Sequence, residues 1–125
     1  MTASIAAAAT AASAAPIQGA PASYWLDLRD YNPPAAAKSL GQPLLVLQGE
    51  RDYQVTMADD FAKWRDGLAG RAGVTFKTYP TLNHLFMAGA GAGPSVPAEY
   101  ERAGHVPVEV VEDIATFVRA LPARK

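Results

Sequence analysis

Four consecutive apolar residues, Leu44-Leu45-Val46-Leu47, constrain this chain more than any other feature. A half-buried strand alternates apolar and polar positions, because successive side chains point to opposite faces. An unbroken apolar run instead predicts a strand covered on both faces, as in a parallel sheet packed by helices. Downstream, Thr56 is placed to cap a helix, with Asp59 and Asp60 in a first turn whose dipole favours negative charge. Met57, Phe61, Trp64 and Leu68 then fall at i, i+4, i+7 and i+11, forming one apolar stripe. Gly70 and Gly73 end that helix. Val74, Phe76 and Thr78 alternate with Thr75, Lys77 and Tyr79, which predicts a second strand whose latter set lies on a more exposed face. Strand, helix and strand within about 35 residues make a βαβ unit, with a crossover expected to be right-handed.

The rest of the chain is organised around this unit. Residues 1–22 are dominated by alanine, with Pro16, Gly19 and Pro21 interrupting any long helix, and are expected to form a flexible leader. Ordinary globular sequence begins at Ser23, so residues 23–125 form the folded part. Tyr24, Trp25, Leu26 and Leu28 make an aromatic-apolar patch, and Pro34 is suited to open a short helix running through Leu40. Residues 87–104 are irregular and rich in Gly, Ala and Pro. Pro107 marks the start of a closing helix with Glu109, Glu112 and Asp113 near its N-terminal end and Val110, Ile114, Phe117 and Leu121 as its buried stripe. Arg119, Arg124 and Lys125 lie toward its negative end. His105, just ahead of Pro107, is expected to cap or border that helix.

With 125 residues the chain amounts to one domain at most, with a single modest core. The net charge of -1, from eleven basic and twelve acidic residues spread along the chain, gives no clustered basic face for nucleic acid. The absence of cysteine excludes disulfides, thiolate metal sites and a cysteine nucleophile. No apolar run reaches the roughly 18 to 20 residues that span a bilayer. Residues 1–22 contain Ala-x-Ala triplets, but no Lys or Arg appears before Arg29, so the segment does not have the form of an export signal. No compartment is indicated. No His-x-x-x-His or His/carboxylate cluster has metal-ligand spacing, and no cofactor is expected. Gly89-Ala90-Gly91-Ala92-Gly93 is glycine-rich but lacks the strand and helix that frame a phosphate loop; flexibility explains it better.

Chemistry is suggested by the loop after each strand. Asp52 lies three residues past Gly49, beyond the carboxyl end of the buried strand, where ligands and catalytic groups gather in open α/β sheets. Taken alone, such an aspartate often only hydrogen-bonds its own loop. His84 occupies the equivalent place after the second strand. Neighbouring parallel strands release both loops at the same end of the sheet, bringing acid and imidazole within reach: one ring nitrogen donates to the carboxylate and the other acts as general base. A separation of about 2.6 to 3.5 Å is expected. Glu50, still within the turn, and Asp59, already engaged at the helix N-terminus, are poorer candidates for the acid.

The stretch Leu44-Leu45-Val46-Leu47-Gln48-Gly49-Glu50-Arg51-Asp52-Tyr53-Gln54-Val55 resembles the acid-bearing strand and loop of α/β-hydrolases, in the branch of dienelactone hydrolases, bacterial esterases and prolyl-oligopeptidase-like peptidases. Leu82-Asn83-His84-Leu85-Phe86 is similar to that branch's histidine loop, and residues 107–121 to its terminal helix. The resemblance covers residues 23–125 and implies an α/β fold: the C-terminal βαβ unit and closing helix of a hydrolase sheet, incomplete. It also implies hydrolysis of an ester, thioester or peptide acyl bond, with Asp52 as triad acid and His84 as triad base. The nucleophile's Gly-x-Ser-x-Gly turn is missing. Of Ser4, Ser13, Ser23, Ser39 and Ser95, only Ser95 is near the histidine in sequence, and it sits in a proline-locked loop without a helix N-terminus to supply an oxyanion hole. Three alternatives stay open: a hydrolase piece whose serine comes from another chain, a non-catalytic interaction module using its open sheet edge, and a minimal hydrolase with an unrecognised nucleophile. A strand as apolar as residues 44–47 with one partner in the chain is expected to self-associate, to recruit a complementing chain, or to gain extra pairing from residues 1–22.

Overall fold

The computed structural model describes residues 16–122 and contains a two-stranded parallel sheet, with helices before, between and after its strands in the sequence. Most of the alanine-rich leader, residues 1–15, lies outside the described residues, as do Arg124 and Lys125. The chain divides into two compact units, Met1–Pro33 and Pro34–Lys125. In the first, Ile17 and Ala20 bridge across a turn that puts Gln18 and Gly19 at positive φ. Helix α1 (Ala22–Leu28) follows, and the Trp25 indole donates to the Ile17 carbonyl at 3.1 Å. The aromatic-apolar patch therefore lies on one short helix, none of whose residues is buried.

Helix α2 (Pro33–Lys38) leads into the second unit, and turns at Ser39 and Leu40 complete the segment expected to be helical. Strand β1 (Leu44–Gly49) pairs in parallel with β2 (Val74–Tyr79), in a register running from Leu44 opposite Val74 to Gly49 opposite Tyr79. Between them, Thr56 caps the connecting helix: its hydroxyl accepts from the Asp59 amide at 3.1 Å, and its own amide donates to Asp60 at 2.9 Å. The helix opens with a wide π-type turn (Met57–Phe61) before α3 (Ala62–Gly67). Phe61 and Leu68 of the expected stripe are buried, and Met57 and Trp64 are half-buried. Gly70 closes the helix at positive φ.

Opposite faces of β2 meet different helices. Phe76 makes an edge-to-face contact with Phe61 at 5.7 Å between ring centroids. Tyr79, on the other face, packs with Leu82 and Val110, the latter on α4 (Val108–Arg119), with Leu47 and Phe86 alongside. The Tyr79 hydroxyl donates to Asp113 at 2.8 Å, and Lys77 also pairs with Asp113. This corrects the expected alternation at one position: Tyr79 belongs to the more exposed set by spacing, yet it is buried, because α4 covers that end of the strand. Burial first of all, then the bond to Asp113 and the negative charges of Asp113 and Glu109, push the Tyr79 phenol well above its ordinary range. His105 is exposed and borders α4 without capping it; Pro107 occupies the cap position and no side chain bonds there.

Two apolar surfaces are less covered than expected. Leu44–Leu47 are all half-buried, not enclosed, and line an open hollow of about 430 Å³ together with Ala37, Leu40 and Trp64. On α4 only Val110 of the expected stripe is buried and Phe117 is half-buried; Ile114 and Leu121 are exposed, as are Val108, Val111 and Val118. The physical reason is shared. Among the described residues the sheet has two strands, too few to cover both sides of β1 or the length of α4. Strands, helices and their order make this a partial α/β unit. No helix of the described residues is long and apolar enough to cross a membrane.

Candidate functional site

Gly49 ends β1 and explains how the two loops meet. A side chain here would sit 2.5 Å from the Leu82 carbonyl oxygen and 2.6 Å from that of Asn83, so only glycine lets the second loop run against the strand end. The Arg51 amide then donates to the Leu82 carbonyl at 3.0 Å, which stitches the loops together.

Within the first loop, the Asp52 carboxylate is divided between two tasks. Its Oδ1 accepts the backbone amides of Gln54 at 2.8 Å and Val55 at 2.9 Å, an Asx-type turn that fixes the side chain. Its Oδ2 faces His84 Nδ1 at 2.8 Å. The buried Gln48 amide donates to the Val55 and Gly49 carbonyls, each at 2.9 Å, and to Asp52 Oδ2 at 3.4 Å, steadying the loop from below. Burial acts to raise the Asp52 pKa. The Val55 amide, the His84 ring and the Gln54 amide outweigh it and hold the carboxyl below its ordinary range. An ionised carboxylate can only accept, so the Nδ1 of neutral His84 carries the proton and Nε2 keeps a lone pair.

The His84 loop is shaped by Asn83, almost fully buried, whose side-chain oxygen accepts the amides of Leu85 at 3.0 Å and Met87 at 3.2 Å. Phe86 takes a positive φ in this tight turn. The His84 amide donates to the Tyr100 hydroxyl at 3.4 Å. A pocket of about 190 Å³ opens beside the pair, walled by Leu47, Val55 and Phe86 with Gly49 at its edge. The Asp52 side chain is 5 % exposed and that of His84 39 %, so the acid is shielded while the imidazole meets the pocket and solvent.

Asp52 and His84, the residues singled out from sequence, thus lie within hydrogen-bond distance. Glu50 stays outside, accepting from Thr78 at 2.6 Å on the surface, and Asp59 serves the helix cap. Ser95 is buried, with its hydroxyl engaged by Tyr100 at 3.0 Å. The sequence reading missed Gln48, Asn83 and Tyr100. Asn directly before the loop histidine is a turn-forming signal that was available; Gln48 and Tyr100 carry none outside their three-dimensional placement. Among the described residues no group of three or more His, Asp or Glu side chains is arranged to hold a metal ion.

The depressed Asp52 pKa gives a pH prediction. A group whose folded pKa lies below its unfolded value of about 3.9 contributes its full stability above that value and loses it as pH falls through the folded pKa. Unfolding in urea, followed from neutral pH down through this window, should show a steeper acid loss in wild type than in Asp52→Asn. Superimposable acid profiles would remove the assigned role of the Val55, Gln54 and His84 bonds.

No family model matches the chain, and no solved structure matches it. The chain is 42 % identical over 102 residues to Esterase EstD of Thermotoga maritima, a match that covers 82 % of this chain and 24 % of that protein. It therefore spans about a quarter of the length of that curated relative.

Proposed function

We propose that residues 23–125 are the C-terminal part of an α/β-hydrolase domain. In this scheme Asp52 and His84 are the acid and base of a serine-hydrolase triad acting on carboxylic ester, thioester or peptide acyl bonds. The observation that carries it is the 2.8 Å contact between Asp52 Oδ2 and His84 Nδ1, with the carboxylate anchored by two amides. The esterase relative supports it independently. His84 Nε2 takes the proton of a serine hydroxyl as its oxygen attacks the acyl carbon. Asp52 stabilises the resulting imidazolium, which then protonates the leaving group. Water repeats the sequence on the acyl-serine. No Gly-x-Ser-x-Gly turn exists in this sequence, so the serine and its oxyanion donors belong to a different segment or chain.

A splice tests this. Exchanging the matched stretch of the Thermotoga maritima esterase for residues 23–125 should give a protein that hydrolyses a short aryl ester. His84→Ala or Asp52→Asn in the splice should abolish most of that turnover, by on the order of 10⁴-fold for the aspartate. Undiminished turnover in both variants would refute the assignment.

A second reading, a non-catalytic interaction module, draws on the apolar residues left open on β1 and α4. Both readings predict that these surfaces acquire a cover, since apolar strand edges recruit other chains. Sedimentation of the chain by itself should show concentration-dependent association. A monomer persisting across a wide concentration range would mean that a second copy of this chain does not supply that cover.

A further inference from the structure

We propose that Arg51, Glu99 and Tyr100 form a positioning clamp that sets the His84 loop against Asp52. Its catalytic meaning rests on the function proposed above; its geometry does not. Arg51 adjoins the acid in sequence and is buried. Its guanidinium grips Glu99 in a two-pronged pair, 2.7 and 2.9 Å, and donates further to the carbonyls of Gly93 at 3.0 Å and Ala90 at 3.2 Å. The backbone of the same residue binds Leu82 through its amide and accepts the Ser95 amide at 2.6 Å. One residue thus holds the loop entering His84 and the irregular segment that comes after it.

Glu99 is followed directly by Tyr100, whose hydroxyl meets both the His84 amide and Ser95 Oγ. The connections close a ring: Asp52 to Arg51 by the chain, Arg51 to Glu99 by the ion pair, Glu99 to Tyr100 by the chain, Tyr100 to His84 by a hydrogen bond, and His84 to Asp52. Gly89 belongs to the device as well. A methyl group there would overlap both the guanidinium and the carboxylate, whereas Gly91 and Gly93 adopt positive φ with open space around them. The glycine-rich run is therefore shaped to admit the ion pair, where flexibility was expected. A buried ion pair is a poor device for stability alone, because desolvation cancels much of the attraction. This pair instead fixes direction: its planar fork accepts a single arrangement of Glu99 and the two carbonyls.

The test reads the imidazole itself. Long-range ¹⁵N–¹H spectra of the full chain, at mildly alkaline pH where a histidine is neutral, report which ring nitrogen of His84 carries the proton. Wild type should show Nδ1–H, as the Asp52 contact requires. Tyr100→Phe removes one hydroxyl at little cost in shape, and Arg51→Met with Glu99→Leu removes both charges without stranding either. In each folded variant His84 should shift toward Nε2–H or a mixture, and Glu99→Gln, which keeps one acceptor, should restore much of the Nδ1–H form. In the splice, the same variants should lose kcat by on the order of 10²-fold with KM unchanged. If Tyr100→Phe retains the wild-type tautomer, the clamp is overturned. A splice that is inactive while the tautomer responds as described would sink the proposed function and leave the clamp standing.

Discussion

Supplied by itself with an activated aryl ester, the chain is expected to raise turnover barely above buffer. Removing the serine from a complete triad costs on the order of 10⁶-fold in kcat, and an acid and base left behind do not restore it. The pair here is well formed, but among the described residues no serine lines the pocket beside it. The serine nearest to His84 in sequence, Ser95, is buried and its hydroxyl is engaged by Tyr100. The donors that would hold a tetrahedral oxyanion accompany the nucleophile's turn in the proposed scheme, so the residual catalysis they normally provide is also lost. What remains is an imidazole whose Nε2 can act weakly as base or nucleophile. Wild type, Asp52→Asn and His84→Ala should therefore differ little on the isolated chain, and a serine-directed phosphonate should label none of them. Turnover near one per second that collapses in both variants, with a serine covalently labelled, would restore a self-sufficient enzyme.

That contrast bears on how much of the site was legible in the residues. Chain order marks Asp52 and His84 as candidates, and the resemblance to α/β-hydrolases adds the roles of acid and base: an apolar strand, a glycine, an aspartate, then a second strand and a histidine. Parallel pairing of the two strands turns that order into proximity, because both loops leave the same end. The supporting residues were not legible in this way. Arg51 looks like any loop arginine until the segment forty to fifty residues later folds over it, and the distance along the chain hides the pair. Coverage failed for a related reason. Apolar runs in β1 and α4 predict burial, but a pattern says only that a face wants cover, not that these residues supply it. Tyr79 misled in the opposite direction, since period-two alternation does not anticipate a helix lying over one strand end.

The position where fold and site depend most on one atom is Gly49. Substitution by valine places a branched side chain where the carbonyls of Leu82 and Asn83 now lie, and neither is the end of a flexible side chain that could swing aside. The backbone of the second loop must retreat, or β1 must lose its pairing with Tyr79. Overpacking of this kind costs about 1 to 3 kcal/mol, and more when backbone is displaced. For a domain of this size each kcal/mol lowers Tm by about 4 to 8 °C, so a fall of roughly 10 °C or more is expected. The loss should not be confined to stability. Retreat of the loop breaks the bond from the Arg51 amide to Leu82 and draws His84 from Asp52, so the Nδ1–H signature of His84 should vanish even well below the lowered Tm. Alanine, with a single methyl, should show the same pair of effects at smaller size. A folded Gly49→Val protein with unchanged Tm and unchanged His84 tautomer would mean that the contact between the loops is made by other residues.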